Sequence, residues 1–174
     1  MKNIVFAVNE IFNPASFSND NDRKKECIRI FGEVINFKEE ISLGTMYCMD
    51  NSGAIIFEHK FRTGGWGKGP LPYGNYTIKS LVQPGEIAKM GDQADAYSQF
   101  GFGWAAILTP LFSTDRTGLW IHCDGNIPGS LGCPVLKFAD KDINVRCWNM
   151  IRDAFEIHGV IPVTVEQRLV ARRF

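Results

Sequence analysis

His122 and Cys133 are the two side chains whose types and spacing best fit nucleophilic chemistry. They lie eleven positions apart, at the two ends of a stretch that contains the turn-forming residues Gly125, Pro128 and Gly129. A thiol is nucleophilic as its thiolate, and a nearby imidazole can remove its proton. If the apolar run before His122 is a strand, the two side chains face each other across a hairpin-like mouth. The spacing therefore predicts a cysteine nucleophile with a histidine base.

The residues around this pair supply the other groups that such chemistry needs. Gly132 permits tight backbone geometry, so the N–H groups of Leu131, Gly132 and Cys133 are the predicted donors to an oxyanion. A histidine base also needs a group that orients its ring. No Asp or Asn is forced into that position, so the predicted orienting group is a backbone carbonyl at Cys123.

The same residues have other interpretations. A free cysteine is more often buried and inert than nucleophilic. His122, Cys123, Asp124 and Cys133 could all bind a metal, but the closely paired ligands of structural zinc sites are absent, so no metal and no cofactor is expected. The cysteine count of five is odd, so at least one is unpaired in a monomer, and a reduced state fits best. A Cys123–Cys133 disulfide is conceivable and would silence the nucleophile.

Length and charge restrict the function classes. The chain has 174 residues, enough for one domain with a real core, and its 19 basic and 19 acidic residues give zero net charge. Nucleic acid and anionic membranes are therefore not expected partners. No segment has the ~20 apolar residues that span a bilayer. The N-terminus has only five apolar residues in a row, too few for a secretory signal, so synthesis in the cytoplasm without a classical signal peptide is predicted.

The pattern of residues predicts a mostly β domain of sandwich or barrel-like form with one packed C-terminal α-helix. We divide it into an N-terminal extension with possible strands, residues 1–42, and a main domain, residues 43–174. Gln83–Gln99 is polar and is interpreted as an excursion or a lid over the sheet. The glycine-rich stretch from Arg62 to Tyr76 is either a floppy connector or a shaped loop beside a site. Predicted strands cover residues 27–37, 44–50, 54–61, 76–82, 100–111 and 161–165. Apolar spacing predicts a helix over residues 140–158, with Asp140 as N-cap and Gly159 just past its end.

The segment from His122 to Cys133 resembles the signature of the L,D-transpeptidase catalytic domain (YkuD-like) family. That pattern is a His, a variable loop, then Ser/Thr-His-Gly-Cys and often an Arg two residues later. Here Leu131 stands in place of the second His and Val135 in place of the Arg. The chain is more similar to a divergent Ser-x-Gly-Cys branch, which includes secreted antibacterial effectors and phage-encoded relatives. That branch often carries Arg-Ser/Thr-Gly before the first His, as at Arg116.

The resemblance implies a YkuD fold and a peptidoglycan-modifying cysteine enzyme. Its expected substrate is the stem tetrapeptide, processed through a Cys133 thioester by transpeptidation or by L,D-carboxypeptidase action. Expected partners are the stem peptide and, for a delivered toxin, an immunity protein or secretion machinery, with action in the periplasm or cell wall. The alternative is a non-catalytic binding or virion-associated module of the same fold. Candidate substrate-binding residues are Ser130, Arg116, Asp124, Asn126, Trp66 and Lys68. The sequence leaves open whether Arg116, Asp124 and Asn126 bind substrate or brace the loop, and turn chemistry favours bracing for Asp124 and Asn126.

Overall fold

The computed structural model describes residues 29–38, 41–125 and 129–167, and the fold is mostly β with a closed eight-stranded barrel. The barrel strands are β1 (Arg29–Lys38), β2 (Ile41–Met49), β3 (Ile55–Gly64), β4 (Gly74–Val82), β7 (Ala105–Pro110), β8 (Trp120–Cys123), β9 (Val135–Leu136) and β10 (Ile161–Gln167). They follow the order β1-β10-β4-β7-β8-β9-β3-β2 around the barrel. β1 is parallel to β10 and β8 to β9, and the other neighbours are antiparallel.

The predicted hairpin is confirmed: β2 and β3 pair in antiparallel fashion around a turn that contains Gly53 in the left-handed region. β1 confirms the first predicted strand from Arg29 onward, and the preceding residues 27 and 28 lie outside the described residues. The boundary proposed between residues 42 and 43 falls within β2, and both β1 and β2 belong to the barrel. Of the N-terminal extension, residues 1–28 and 39–40 lie outside the described residues.

The lid runs from residue 83 to residue 103 and covers one part of the barrel wall. It contains α1 (Pro84–Ile87), a 3₁₀ helix (Gly91–Tyr97), and the short strands β5 (Ser98–Gln99) and β6 (Phe102–Gly103), which pair with each other. The prediction of one buried strand over residues 100–111 was wrong in its first part. Phe100 has a φ of 57° and is half-exposed, so the chain turns there and enters the barrel only at β7.

The predicted helix is α2 (Lys141–His158), and its ends follow from capping. The Asp140 side chain accepts a hydrogen bond from the Ile143 N–H at 2.8 Å, and Gly159 ends the helix with a φ of 69°. Asn144, Cys147, Trp148, Ile151 and Ala154 form its buried face. The helix is followed by β10, whose Pro162 pairs with β4 near the start of the strand. No helix in the described ranges is long and apolar enough to cross a bilayer.

Candidate active site

The parallel pairing of β8 with β9 brings the two predicted catalytic residues into neighbouring segments of the chain. His122 pairs with Val135 of β9, and its N–H donates to the Pro134 carbonyl at 3.3 Å, one residue beyond Cys133. The two strands are parallel, so the expectation of a hairpin-like connection was wrong. The eleven residues between them return the chain to the starting side, as parallel neighbours require. We refer to residues 129–134, the last part of this connection, as the cysteine loop.

The His122 side chain is buried and its ring has a fixed orientation. Nδ1 lies 2.7 Å from the Cys123 carbonyl oxygen, which can only accept, so Nδ1 carries the proton and Nε2 has a free lone pair. Burial lowers the pKa of His122 to about 4, although the Cys123 carbonyl and the nearby Asp124 charge act to raise it. At neutral pH the residue is therefore an uncharged imidazole that can accept a proton at Nε2.

The Cys133 thiol is partly exposed and lies beside the start of β8. Its sulfur accepts the Trp120 N–H at 3.4 Å, and its S–H points to the Gly118 carbonyl at 3.5 Å. Burial raises the pKa of Cys133, and the Trp120 N–H and the Arg116 charge oppose that rise. Among the described residues no hydrogen bond joins this thiol to His122. The resting pair is thus a thiol beside a neutral base, and proton transfer has to accompany attack.

The Cys123 side chain has a different environment from that of Cys133. Its buried S–H donates to the Tyr97 carbonyl at 3.2 Å, and burial raises the pKa of Cys123 to about 11. Both Cys123 and Cys133 are free thiols, so the conceivable disulfide between them is not formed. Cys123 therefore contributes its carbonyl to His122 and its thiol to the attachment of the lid.

Tyr97, the last residue of the 3₁₀ helix, is a site residue that the sequence analysis missed. Its ring meets the His122 ring edge-on at 4.8 Å and packs against Trp120 at 5.2 Å. Burial and the nearby Cys133 charge raise the pKa of Tyr97. The lid thus covers the imidazole with an aromatic side chain. A lone Tyr in a polar stretch carries no sequence signal of this role.

A buried amide anchors this end of the lid to α2. Asn144 accepts the Trp104 indole N–H at 2.7 Å and donates to the carbonyls of Phe102 and Gln99 at 3.1 and 3.3 Å. Its hydrogen-bonding groups are directed at the lid and at the residue that follows it. This network holds the segment that carries Tyr97 against the site.

Arg116 joins the cysteine loop to the glycine-rich loop, residues 65–73. Its guanidinium donates to the Leu131 carbonyl at 2.7 Å, to the Gly69 carbonyl at 3.4 Å, and to the Lys68 carbonyl. It was expected to bind substrate, but three carbonyls of the chain occupy it. The stretch is therefore a shaped loop beside the site and not a floppy connector. The position of Arg116 also explains why residue 132 is a glycine, because a Cβ there would overlap the guanidinium.

Ser130 is buried, and its hydroxyl has no capacity left for a substrate. The hydroxyl donates to the Cys133 carbonyl at 2.6 Å and accepts the N–H groups of Gly132 and Gly64 at 3.1 and 3.3 Å. Ser130 therefore braces the loop where substrate binding was expected. Because the Gly132 N–H is taken, it does not face an oxyanion as expected. In the described part of the chain, the N–H groups of Leu131 and Cys133 have no acceptor.

The other candidate binding residues have separate positions. Asp124 is buried and paired with Arg62 of β3, so it braces the end of β8. Trp66 and Lys68 are exposed on the glycine-rich loop, and Trp66 lies against Gly129, where a Cβ would come within 2.8 Å of the indole nitrogen. Asn126 lies outside the described residues.

A comparison of the chain with protein-family models, curated proteins and solved structures finds no match. The chemistry of the site therefore has to be argued from its own residues.

Proposed function

We propose that the protein is a peptidoglycan-modifying cysteine enzyme, an L,D-transpeptidase or L,D-carboxypeptidase that acts on the stem tetrapeptide. One observation carries the chemical part of the proposal. A buried, neutral His122, with Nδ1 fixed 2.7 Å from the Cys123 carbonyl, lies on the strand whose first residue, Trp120, donates its N–H to the partly exposed Cys133 thiol. The substrate class and the finer assignment to a YkuD fold rest on the sequence resemblance.

The proposed acylation step uses both side chains. The Cys133 sulfur attacks the carbonyl carbon of the third stem residue while His122 Nε2 accepts the thiol proton. The bond to the terminal D-amino acid breaks, and His122 returns the proton to the departing amine. The Leu131 and Cys133 N–H groups are the proposed oxyanion donors. The thioester then passes to an amine, which gives a cross-link or an exchanged D-amino acid, or to water.

Two exposed residues of the glycine-rich loop fit a role in holding the substrate. Lys68 provides an ammonium group that can pair with a carboxylate of the stem peptide, and Trp66 provides an apolar surface beside the cysteine loop. Arg116 and Ser130 hold the backbone of the cysteine loop, because chain carbonyls occupy their donors, and Asp124 is buried in an ion pair with Arg62. Lys68 and Trp66 are therefore the binding residues that we retain in the proposal.

The substrate lies outside the cytoplasm, so the proposal includes delivery to the periplasm or wall, as for an antibacterial toxin or a phage product. An immunity protein and a secretion machine are the proposed partners of the toxin form. Expression with a periplasmic leader should slow or lyse cells, whereas cytoplasmic expression should not. Equal tolerance of both would argue against this role.

A non-catalytic binding module is the second candidate. Two observations favour it: burial raises the pKa of Cys133, and within the described ranges no hydrogen bond links its thiol to the imidazole. Such a module would bind wall fragments without changing their mass.

Mass spectrometry of the disaccharide-tetrapeptide, incubated under reducing conditions, separates the two candidates. Loss of the terminal D-alanine, or a cross-linked dimer, is expected with wild type and not with Cys133→Ala. Cys48→Ala, a change at a buried cysteine of β2, is the matched control and should retain the activity. An unchanged tetrapeptide with the wild type would favour the binding module.

A further inference from the structure

The backbone of the cysteine loop is held by side chains that bind its carbonyl oxygens. Arg116 binds the Leu131 carbonyl, Thr63 binds the Gly132 carbonyl, and Ser130 binds the Cys133 carbonyl. The two N–H groups of Leu131 and Cys133 are left over within the described chain. The carbonyls of Leu131, Gly132 and Cys133 therefore each have a side-chain partner, whereas these two N–H groups, which have the right charge for an oxyanion, have no acceptor among the described residues.

Thr63 is the most enclosed of these three side chains. It is fully buried near the end of β3, and its hydroxyl makes two hydrogen bonds of 2.8 Å. It donates to the Gly132 carbonyl and accepts the Leu71 N–H from the glycine-rich loop. One hydroxyl thus links β3 to both loops. Thr63 and Gly132, which this hydroxyl joins, are 69 residues apart in the sequence.

The bond to Gly132 has a consequence for the next residue. The carbonyl of Gly132 and the N–H of Cys133 belong to one peptide unit, which is planar and trans. The N–H therefore points away from the carbonyl oxygen, and whatever fixes one fixes the other. Gly132 has a φ of 110° and lies outside the strands, so no strand neighbour directs this peptide unit.

We propose that Thr63 is a positioning residue that aims the Cys133 N–H at the oxyanion. It acts through the Gly132 carbonyl and does not touch the substrate. The inference builds on the proposed acyl transfer, but it holds for any ester or amide that Cys133 attacks.

The test compares two reactions of Cys133 that differ in their need for an oxyanion. With p-nitrophenyl acetate, the sulfur attacks the acetyl carbonyl through a tetrahedral oxyanion, p-nitrophenolate leaves, and the thiol proton passes to His122. With iodoacetamide, the sulfur displaces iodide from a CH₂ carbon and no oxyanion forms. Both rates are measured at one pH for the wild type, Thr63→Val, Thr63→Ala and Thr63→Ser. Thr45→Val, a change at another buried threonine on β2, is the matched control.

Thr63→Val and Thr63→Ala are expected to lower the acylation rate roughly 10- to 100-fold, while the alkylation rate stays within about twofold of the wild type. Thr63→Ser keeps the hydroxyl and should retain most of the acylation rate, and Thr45→Val should change neither rate. The inference is overturned if acylation and alkylation fall together, if neither falls, or if the wild type is alkylated but not acylated. Acylation that depends on Thr63, with an unchanged tetrapeptide, would support this inference and reject the proposed substrate.

Discussion

Gly32 in the barrel wall and Gly132 in the cysteine loop are both glycines, but different interactions hold the backbone around each of them. Gly32 lies on β1 and pairs with Met46 on one side and Val165 on the other. A Cβ there would meet Phe61 at 3.6 Å, which is ordinary contact. Gly132 has a φ of 110°, and a Cβ there would overlap the Arg116 guanidinium.

The two regions differ in which groups form hydrogen bonds with the backbone. In the wall, strand neighbours use the N–H and carbonyl groups, so the side chains are left to fill the interior. In the cysteine loop, Thr63, Ser130 and Arg116 bind three of the carbonyls, and within the described part of the chain the N–H groups of Leu131 and Cys133 have no acceptor. The wall should therefore tolerate small changes that the loop does not.

Gly132→Ala gives the largest expected effect. The methyl group is strained at this φ and displaces Arg116, so both candidate oxyanion donors lose their positions. Acylation of Cys133 by p-nitrophenyl acetate should fall by about 10³-fold. Gly53→Ala is the matched control, because Gly53 also has a positive φ of 83° but has open space around it. Equal acylation by the two variants would show that the loop is as tolerant as the wall.

The barrel wall and the site meet at His122, and the pH dependence of stability tests whether this residue is buried as a neutral imidazole. Its folded pKa of about 4 lies below the unfolded value of 6.5, so between those pH values the unfolded chain binds a proton that the folded chain does not. The free energy of unfolding should therefore rise with pH across this window, by about 3 kcal/mol in total, and be lost as pH falls toward 4. Urea unfolding at several pH values measures it.

His122→Gln removes the titrating group and should flatten this part of the stability profile. The same dependence of unfolding free energy on pH in wild type and variant would mean that the imidazole is not buried in its neutral form.

The rate of acylation in the wild type should decline on the acid side near pH 4 and not near 6.5, because the neutral imidazole is the form that accepts a proton.

Arg116 allows the geometry of the loop to be separated from its charge. Arg116→Lys keeps the charge but cannot bind three carbonyls with one planar group, so acylation should fall roughly tenfold. Arg116→Gln also removes the positive charge that lowers the pKa of Cys133, so that pKa should rise. The pH profile of iodoacetamide alkylation should then move to higher pH in Arg116→Gln and hardly in Arg116→Lys. Identical pH profiles in both variants would show that the Arg116 charge does not lower the pKa of Cys133.

The parts of the fold that sequence could predict are those with local signals. Apolar spacing and the caps Asp140 and Gly159 define α2 to within one residue, and the Gly53 turn defines the β2–β3 hairpin. The short interval from His122 to Cys133 brings the two residues into neighbouring segments, since His122 pairs with Val135. The parallel pairing of β8 and β9 was missed, because the intervening turn residues suit a hairpin equally well.

The residues that hold the site in place could not be predicted from local sequence patterns. Thr63 acts on a carbonyl 69 positions away, and Arg116 acts on the glycine-rich loop 47 and 48 positions away. Tyr97 contacts His122 from a lid that Asn144 of α2 and the Cys123 thiol both hold. The strand break at Phe100 depends on a positive φ that its residue type does not favour. These contacts exist only once the barrel has closed.

Gly32→Ala gives the smallest expected effect, and its sign is opposite to that at Gly132. Gly32 has no positive φ, and its added methyl group would enter a small apolar cavity inside the barrel, lined in part by Phe61 and Val165. The substitution also removes conformational freedom from the unfolded chain. We expect the free energy of unfolding to rise by about 0.5–1 kcal/mol, which urea unfolding with Gly53→Ala as the destabilised control can resolve. A loss of stability at Gly32 would mean that the wall is packed as tightly as the cysteine loop, and the contrast between the two regions would then rest on backbone conformation alone.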